Sequence, residues 1–415
     1  MTTQWIVGNA SDIGSGQIQA GNNTSTAFAC STYVQSNGNG ATTGSTIRVS
    51  GTMSNYSAHV SVNGITGAST FRIYVSTSTA GNETFSVAGG ATGTFTDSTH
   101  SDIFTAPELV WQKITGGAGG TSLQADWLYS MYAPASGDYV KYSTGVGQWQ
   151  PSAAGTFYCP ICASPYAGSQ PFTTAAPVTI TFREAGTLKD LSVQIGSGNN
   201  ATTTTTTINS YVGGAQGNLA ISISAGADGT FEDTSHTDTI SSGTTVCMQV
   251  ILGDTSGVRM LIQPSFVPSA GGYPLVRANW GVDAIGTNST VYSMIGGGNG
   301  YVATVGKTQV PLQFAAESHH LYCYVSANTS TVLATTLNTV KNSANGNGIL
   351  SIAAGATGAF EDTVNSDTYN GSTDTIGLGA TNSDLVGGPT IPAMGIHLAP
   401  YSAAPSRGAR AWAVP

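Results

Sequence analysis

The amino-acid sequence predicts an all-β protein made of three tandem antiparallel β-sandwich modules of the jelly-roll type. Three observations support this prediction: a long internal repeat, short segments in which apolar and polar residues alternate, and abundant turn-forming glycine, 54 of 415 residues. The repeat carries the most weight, because its copies recur at the spacing of whole domains. A module that is repeated without reactive residues indicates a protein that presents surface.

The repeat is the motif Gly-Ala-x-Gly-x-Phe-x-Asp. Its copies occupy residues 90–97, 226–233 and 355–362, roughly 130 residues apart, which is the size of one domain. The candidate structural residues of the motif are Phe95, Asp97, Phe231, Asp233, Phe360 and Asp362. We interpret each copy as a hairpin, with the phenylalanine in the core and the aspartate bonded to its own backbone at the bend.

A second aspartate follows each motif, and clustered carboxylates are also typical of calcium sites. These second aspartates are Asp102, Asp238 and Asp367. A site needed once would not recur at the same place in every module, so we favour the structural interpretation and expect no metal or other cofactor.

Alternating polarity predicts the strands. Leu219, Ile221 and Ile223 alternate with small polar or alanine residues, and this period of two places the apolar side chains on one face of a sheet. Residues 178–183 alternate in the same way, and no amphipathic helix of ten or more residues is predicted. Many short strands in a module of this size favour an eight-stranded jelly roll over a seven-stranded immunoglobulin fold.

Each module ends with apolar residues before a proline, as a last strand entering a linker would. The expected domains are therefore residues 1–133, 134–268 and 269–403, followed by a C-terminal arm, residues 404–415. The arm contains Arg407, Arg410 and Trp412. We expect it to anchor the protein, with arginine pairing to carboxylates and tryptophan filling an apolar pocket; the alternative is that it folds back on its own module.

Charge and composition exclude several functions. The net charge is −9, with only 12 lysines and arginines, which argues against nucleic-acid binding. No apolar run is long enough to span a membrane, and the first residues do not resemble a secretion signal, so we expect synthesis in a cytoplasm. Five cysteines do not make a complete disulfide framework, and the Cys159-x-x-Cys162 pair is interpreted as buried, inert thiols.

No motif of a metalloprotease, a nucleotide-binding loop or a serine nucleophile is present, so the protein is predicted not to be an enzyme. Glycoside hydrolysis by paired carboxylates is the enzymatic alternative. Carbohydrate binding is the stronger alternative, because six tryptophans and 17 tyrosines could stack on sugars.

The second module resembles a module of tailed-bacteriophage virion proteins. The resemblance rests on Gly186 to Leu191, on the run from Ile223 to His236 that includes the repeated motif, and on the apolar segment from Val246 to Leu252. It implies a β-sandwich virion protein and transfers no catalytic residue.

Because the chain lacks a long shaft segment, we expect a capsid decoration (cement) protein or head spike at the capsid surface, made in the host cytoplasm. Its partner would be the major capsid protein of the same virion. We also expect a homo-oligomer, with a trimer as one arrangement, and no nucleic-acid or membrane partner. The alternative is a tail-fibre or receptor-binding adhesin that recognises a host surface glycan.

Overall fold

The computed structural model describes residues 5–10, 18–21, 23–29, 35–36, 44–76, 78–135, 140–141, 144–149, 153–162, 172–196, 198–269, 275–280, 284–293, 295, 303–312, 314–371 and 373–400. Within these ranges the regular structure consists of β-strands and two short 3₁₀ turns, Ala176–Val178 and Val305–Thr308. All strand pairs are antiparallel, so the predicted all-β antiparallel fold class is confirmed. In the same ranges no helix is long and apolar enough to cross a membrane.

Eleven strands form the first sandwich: β1 (Trp5–Ala10), β2 (Ile18–Gly21), β3 (Ser25–Ala29), β4 (Gln35–Ser36), β5 (Ser45–Ile47), β6 (Gly51–Ile65), β7 (Ser69–Val75), β8 (Thr79–Val87), β9 (Gly93–Phe104), β10 (Glu108–Thr115) and β11 (Gly120–Pro134). One sheet has the order β1-β11-β6-β9, with β2 also paired to β11. The other has the order β4-β3-β10-β7-β8, with β5 paired to β10.

Ten strands form the second sandwich: β12 (Val140–Lys141), β13 (Thr144–Trp149), β14 (Gly155–Cys159), β15 (Ile180–Thr181), β16 (Gly186–Ile195), β17 (Thr206–Val212), β18 (Ala215–Ile223), β19 (Gly229–Ile240), β20 (Thr245–Leu252) and β21 (Val258–Pro268). Its sheets have the orders β12-β21-β16-β19, with β13 on β21, and β14-β20-β17-β18, with β15 on β20.

The third segment of the chain contains twelve strands, ten of which form the third sandwich: β22 (Leu275–Trp280), β23 (Ser289–Ser293), β24 (Val310–Pro311), β25 (Ala316–Val325), β26 (Ala327–Asn328), β27 (Thr335–Lys341), β28 (Ala344–Ile352), β29 (Gly358–Asp362), β30 (Asp367–Tyr369), β31 (Thr375–Asn382), β32 (Pro389–Thr390) and β33 (Ala393–Pro400). The two main sheets have the orders β22-β33-β25-β29, with β30 on β25, and β23-β31-β27-β28, with β24 on β31. Strands β26 and β32 form a separate two-stranded ribbon.

The same topology thus recurs in all three pairs of sheets. In each, the chain passes repeatedly from one sheet to the other, and the last strand lies between the first strand and a long middle strand. This is the jelly-roll arrangement. The strands of the three sandwiches fall within residues 5–134, 140–268 and 275–400, and we propose domain boundaries in the two intervals between them.

The inward side chains follow the predicted alternation. In β18, Leu219, Ile221 and Ile223 are buried, and the residues between them are exposed. Val178 is also buried, but it lies in a 3₁₀ turn rather than in a strand. The buried apolar side chains form one continuous cluster that includes residues of all three sandwiches, so the sandwiches pack against one another.

Each long middle strand contains a bulge at its fifth residue. Asn55, Asp190 and His320 occupy these positions with φ of 59°, 49° and 55°, and the strand register shifts at each of them. Asparagine, aspartate and histidine tolerate this left-handed conformation better than most residues do. The bulge bends each middle strand at the same place.

Candidate interaction surfaces

The repeated motif connects the two sheets of each sandwich. Its glycines form the turn from β8 to β9, from β18 to β19 and from β28 to β29, and the two strands of each pair belong to different sheets. The expected hairpin is therefore a crossover between sheets. The three aspartates of the motif are buried, whereas the phenylalanines are half-buried and pack against the core cluster.

Asp97 joins the edge strands β9 and β8 of the two sheets of the first sandwich. Its Oδ2 accepts a hydrogen bond from the Thr84 backbone N–H at 2.9 Å, and its Oδ1 accepts one from the Thr99 N–H at 3.1 Å. Burial alone would raise the pKa of Asp97, but these donors and His100 outweigh it and hold the pKa well below its usual value. The carboxylate therefore acts as an internal hydrogen-bond acceptor.

Asp233 and Asp362 repeat this arrangement. Asp233 accepts from the Ala220 N–H at 3.0 Å, and Asp362 accepts from the Ile349 N–H at 2.9 Å. Although burial opposes the shift, these hydrogen bonds lower the pKa of Asp233 to about 2. Oxygens committed to N–H donors are poorly placed to ligate a cation. In the part of the chain that the structure describes, no three His, Cys, Asp or Glu side chains form a metal-binding group.

The second aspartates bind a Gly-Asn pair that sequence analysis missed. In the second sandwich, Asp238 accepts from the Asn218 N–H at 2.6 Å, and a Cβ on Gly217 would lie 2.7 Å from the same carboxylate. The equivalent pairs are Gly81-Asn82 with Asp102 and Gly346-Asn347 with Asp367. Alignment of the three modules would have revealed this second repeat, because Gly-Asn stands at the same distance before each motif.

The remaining candidate residues are buried or lie outside the residues that the structure describes. Cys159 and Cys162 are buried, and so are Trp111 and Trp127, so neither of these tryptophans offers a ring to a sugar. The candidate arm residues Arg407, Arg410 and Trp412 lie outside the described residues.

Neighbouring sandwiches meet through equivalent ion pairs. Arg48, three residues before β6, pairs with Glu232 of the second sandwich. Arg183, three residues before β16, pairs with Glu361 of the third sandwich, and its Nε donates to Glu361 Oε1 at 2.9 Å. Each glutamate directly precedes the motif aspartate. The first and second contacts between sandwiches therefore use the same two places in the fold.

A third contact joins the last sandwich to the first. The Tyr129 hydroxyl on β11 donates to the Ile295 carbonyl at 3.3 Å, and both residues are buried. Because Ser130 bonds to Glu83 inside the first sandwich, the adjacent Tyr129 points to the outside of its sheet. The second sandwich is covered on the equivalent face, where Gln263 of β21 donates to the Ser45 hydroxyl at 2.6 Å. The contacts run from first to second, second to third and third to first, which closes a ring.

The contact between the second and third sandwiches contains a histidine cluster. His320 Nδ1 lies 3.0 Å from Glu361 Oε1, and the rings of His320 and His397 are 5.6 Å apart. Burial lowers the pKa of His320; Glu361 opposes this shift, while Arg183 and His319 add to it.

Exposed aliphatic side chains are concentrated on the third sandwich. Six of the eight large exposed apolar residues in the described ranges belong to it, and the second sandwich has none. Four of the six form what we call the tip patch: Val332, Leu333, Leu385 and Val386, which are 77%, 46%, 75% and 71% exposed. The other two, Ile349 and Val364, form the edge patch.

A single carboxylate organises the tip patch. Asp384 Oδ2 accepts from the N–H groups of Val332 and Leu333 at 2.8 and 3.1 Å, and Oδ1 accepts from the Val386 N–H at 2.8 Å. The loop before β27 and the loop after β31 are thereby held together. These donors keep the pKa of Asp384 far below its usual value, so the carboxylate that joins the two loops is ionised at neutral pH.

The same carboxylate device in the second sandwich displays polar residues. Asp254 accepts from the N–H groups of Thr203, Thr204 and Ser256. At the positions that correspond to the tip patch, the second sandwich has Thr204, Thr205, Thr255 and Ser256. The fold therefore does not require aliphatic residues there.

No protein-family model matches the chain, and no curated protein matches it. One similar solved structure is described as "The Triple Jelly Roll Fold and Turret Assembly in an Archaeal Virus"; it is 14% identical, covers 86% of this chain and 80% of its own, and has a TM-score of 0.20. Another is a xanthan lyase from Paenibacillus, 11% identical over 72% of this chain, with a TM-score of 0.16; the match spans 30% of the lyase. Superpositions this poor support no argument about function.

Proposed function

We propose that this protein is a non-enzymatic structural component of a bacteriophage virion, a capsid decoration or cement protein or a head spike that binds the assembled shell. The observation that carries the proposal is the ring of three jelly-roll sandwiches, in which the repeated carboxylates act as internal acceptors. Because these carboxylates accept hydrogen bonds from the protein's own backbone, we expect the function to reside in contacts made by the outer surface. The resemblance of the second module to tailed-phage virion modules supports the same class.

The mechanism would be mechanical. A protein that contacts several neighbouring shell subunits gains affinity through effective concentration, because the second and later contacts form within one complex. Since it would bind the assembled lattice and not the separate subunits, it would stabilise that lattice by mass action. Only 8% of the residues are charged, so such contacts would depend little on salt.

Electron microscopy of purified particles labelled with antibody against this chain tests the proposal. Label on the shell is the expected result. Label on tail fibres would favour the receptor-binding adhesin instead, and particles without label would overturn both assignments. Particles that lack the protein should also release DNA at a lower temperature than complete ones.

The C-terminal arm is proposed as a shell anchor. Purified protein is added to particles made without it. Deletion of residues 404–415 should reduce the amount of protein that co-sediments with these particles. The matched variant replaces only Arg407, Arg410 and Trp412 by alanine and should have the same effect. Unchanged occupancy of both variants would leave the arm without this role.

A further inference from the structure

We propose that a repeated set of side chains closes one open side of each sandwich against pairing with another extended chain. We call this set the strand lock, and it consists of one asparagine and two aspartates per sandwich. Its members are Asn82, Asp97 and Asp102 in the first sandwich, Asn218, Asp233 and Asp238 in the second, and Asn347, Asp362 and Asp367 in the third. The inference concerns strand pairing and does not rest on binding to a shell.

Each strand lock lies where a β-sandwich is open to an added strand. In the residues that the structure describes, β8, β18 and β28 each have a strand neighbour on one side only, and so do β9 and β19. An edge strand directs alternate N–H and C=O groups away from its sheet, where an extended peptide can pair with them.

Strand β18 has little other protection against such pairing. It is nine residues long, and its sequence contains no proline and no charged residue. Short length, proline and charge are the usual means by which natural proteins keep an edge strand from pairing with another chain. A different device is therefore needed on this edge.

The aspartates of the lock occupy the outward N–H groups of β18. Asp238 accepts from the Asn218 N–H at 2.6 Å, and Asp233 accepts from the Ala220 N–H at 3.0 Å. The two donors are two residues apart, which is the spacing of N–H groups on one side of a strand. Because β17 pairs with the other side of β18, the carboxylates fill positions that an added strand would need.

The same donor spacing recurs in the other two sandwiches. The donors are the N–H groups of Asn82 and Thr84 in the first, at 2.6 and 2.9 Å, and those of Asn347 and Ile349 in the third, at 2.8 and 2.9 Å. In every case the carboxylates belong to the facing strand of the other sheet. Three modules with different exposed side chains thus share one treatment of this edge.

The asparagine of the lock occupies a carbonyl of the facing strand as well. Asn218 Nδ2 donates to the Thr237 carbonyl of β19 at 3.0 Å. The equivalent bonds run from Asn82 to Ser101 and from Asn347 to Ser366, at 3.3 and 3.1 Å. Each lock therefore takes donors from one edge strand and an acceptor from the other, so the two sheets are joined along this side and leave fewer groups for an added strand.

The test removes one carboxylate of the second strand lock from the full chain. The open variant carries Asp233→Ala, and an alanine methyl group offers the Ala220 N–H no acceptor. The matched control is Asp254→Ala, which removes a carboxylate of the same sandwich that accepts from the loop N–H groups of Thr203 and Ser256. Both variants lose a carboxylate that bonds to backbone, but only the open variant frees an edge strand.

The probe is a fluorescent peptide with the sequence of β18, residues 215–223. This sequence has no charged side chain, so the net charge of −9 does not repel it. A second peptide with the same side chains but methylated backbone nitrogens cannot donate to an edge strand. Fluorescence anisotropy measures binding of both peptides, and thermal unfolding shows that each variant is folded at the assay temperature.

The open variant should bind the probe at least about tenfold more tightly than the unmodified chain or the Asp254→Ala control does, and it should not bind the methylated peptide. Hydrogen exchange supplies a second readout. The Ala220 amide should exchange slowly in the unmodified chain and about tenfold or more faster in the open variant, because it loses its acceptor.

Binding of the probe by the unmodified chain would overturn the proposal, and so would rapid exchange of its Asn218 and Ala220 amides. A folded open variant that exchanges rapidly at Ala220 and still does not bind the probe would reduce the lock to a stabilising contact. Equal binding by the Asp254→Ala control would assign the effect to general loosening of the sandwich. If the open variant does not fold, the two measurements on the unmodified chain decide the matter. None of these outcomes depends on whether antibody labels the shell, so the two proposals fail separately.

Discussion

The side chain of Arg183 reaches from the second sandwich to the carboxylate of Glu361 in the third, with Nε donating to Oε1 at 2.9 Å. Arg48 and Glu232 make the same pairing one sandwich earlier. The positions that would continue the series carry Gln313 and Thr96. The ion pair is therefore present at two junctions of the ring, and the sequence lacks it for the third.

The natural residues of the third junction provide a test of the pair. Glu361→Thr should lower the free energy of unfolding by about 1–2 kcal/mol, because it leaves a partly buried guanidinium without its carboxylate. Adding Arg183→Gln should restore part of that loss, a coupling that a double-mutant cycle in urea would measure. The pair Arg48 and Glu232 should behave in the same way. Additive effects at both junctions would mean that the pairs contribute nothing.

Acidification should weaken the second junction through His320. The folded state lowers the pKa of His320 below its usual 6.5, so folding favours the neutral ring. Its contribution is present above pH 6.5 and is lost as the pH falls through the lower, folded value. The charged and titratable groups near His320 and its neighbours are those of Arg183, Glu361, Glu317, His319 and His397.

His320→Asn is the matched variant, since Asn55 occupies the equivalent left-handed position in the first sandwich. The variant should show less loss of stability on mild acidification than the unmodified chain, measured by thermal unfolding. The same pH dependence in both proteins would assign the effect to other groups.

Alkaline pH should destabilise the first sandwich through Glu83. This buried side chain accepts from the Tyr56 N–H at 2.8 Å. Burial is the main cause that raises its pKa from 4.5 to about 8, and the Asp102 and Asp97 charges add to it. Its contribution to stability is full below pH 4.5 and is lost as the pH rises through about 8.

Glu83→Gln keeps the acceptor for Tyr56 and removes the titration. Above the folded pKa it should be more stable than the unmodified chain, by on the order of 5 kcal/mol. Urea unfolding at acidic and alkaline pH measures the difference. A variant that is equally destabilised by alkali would show that Glu83 is ionised without cost.

Gly217→Ala should destabilise the second sandwich by roughly 1–3 kcal/mol, because the new methyl group overpacks its site. Its Cβ would lie 2.3 Å from Ser210 Oγ and 2.7 Å from Asp238, both of which are held by hydrogen bonds. Gly306→Ala is the control, as nothing lies within 4 Å of its Cβ. Thermal unfolding that does not distinguish the two variants would contradict the close packing.

The sequence predicts the strands better than it predicts their surroundings. The alternation of Leu219, Ile221 and Ile223 identifies one buried face of β18 correctly. In β21, by contrast, residues 260–266 are all buried, since the first sandwich covers the outer face around Gln263. Periodicity reports which face is apolar, but a polar residue such as Gln263 becomes buried only through contact with another sandwich.

The candidate residues were partly predictable for the same reason. The repeat identifies Asp97, Asp233 and Asp362 as structural, but not that they join two sheets, because this depends on strands that lie far apart in sequence. Aligning the three modules would have identified the patches of the third sandwich, because residues such as Val332 are aliphatic only in that module.

Because the three jelly rolls belong to one polypeptide, each sandwich of the ring can change its side chains independently of the other two. A trimer of identical subunits would repeat every side chain three times, whereas here Glu83 is buried in one sandwich only and the aliphatic tip occurs on another. The mutual contacts also survive any dilution, because the peptide chain tethers the partners. A near-symmetric framework can in this way carry a feature at one place only.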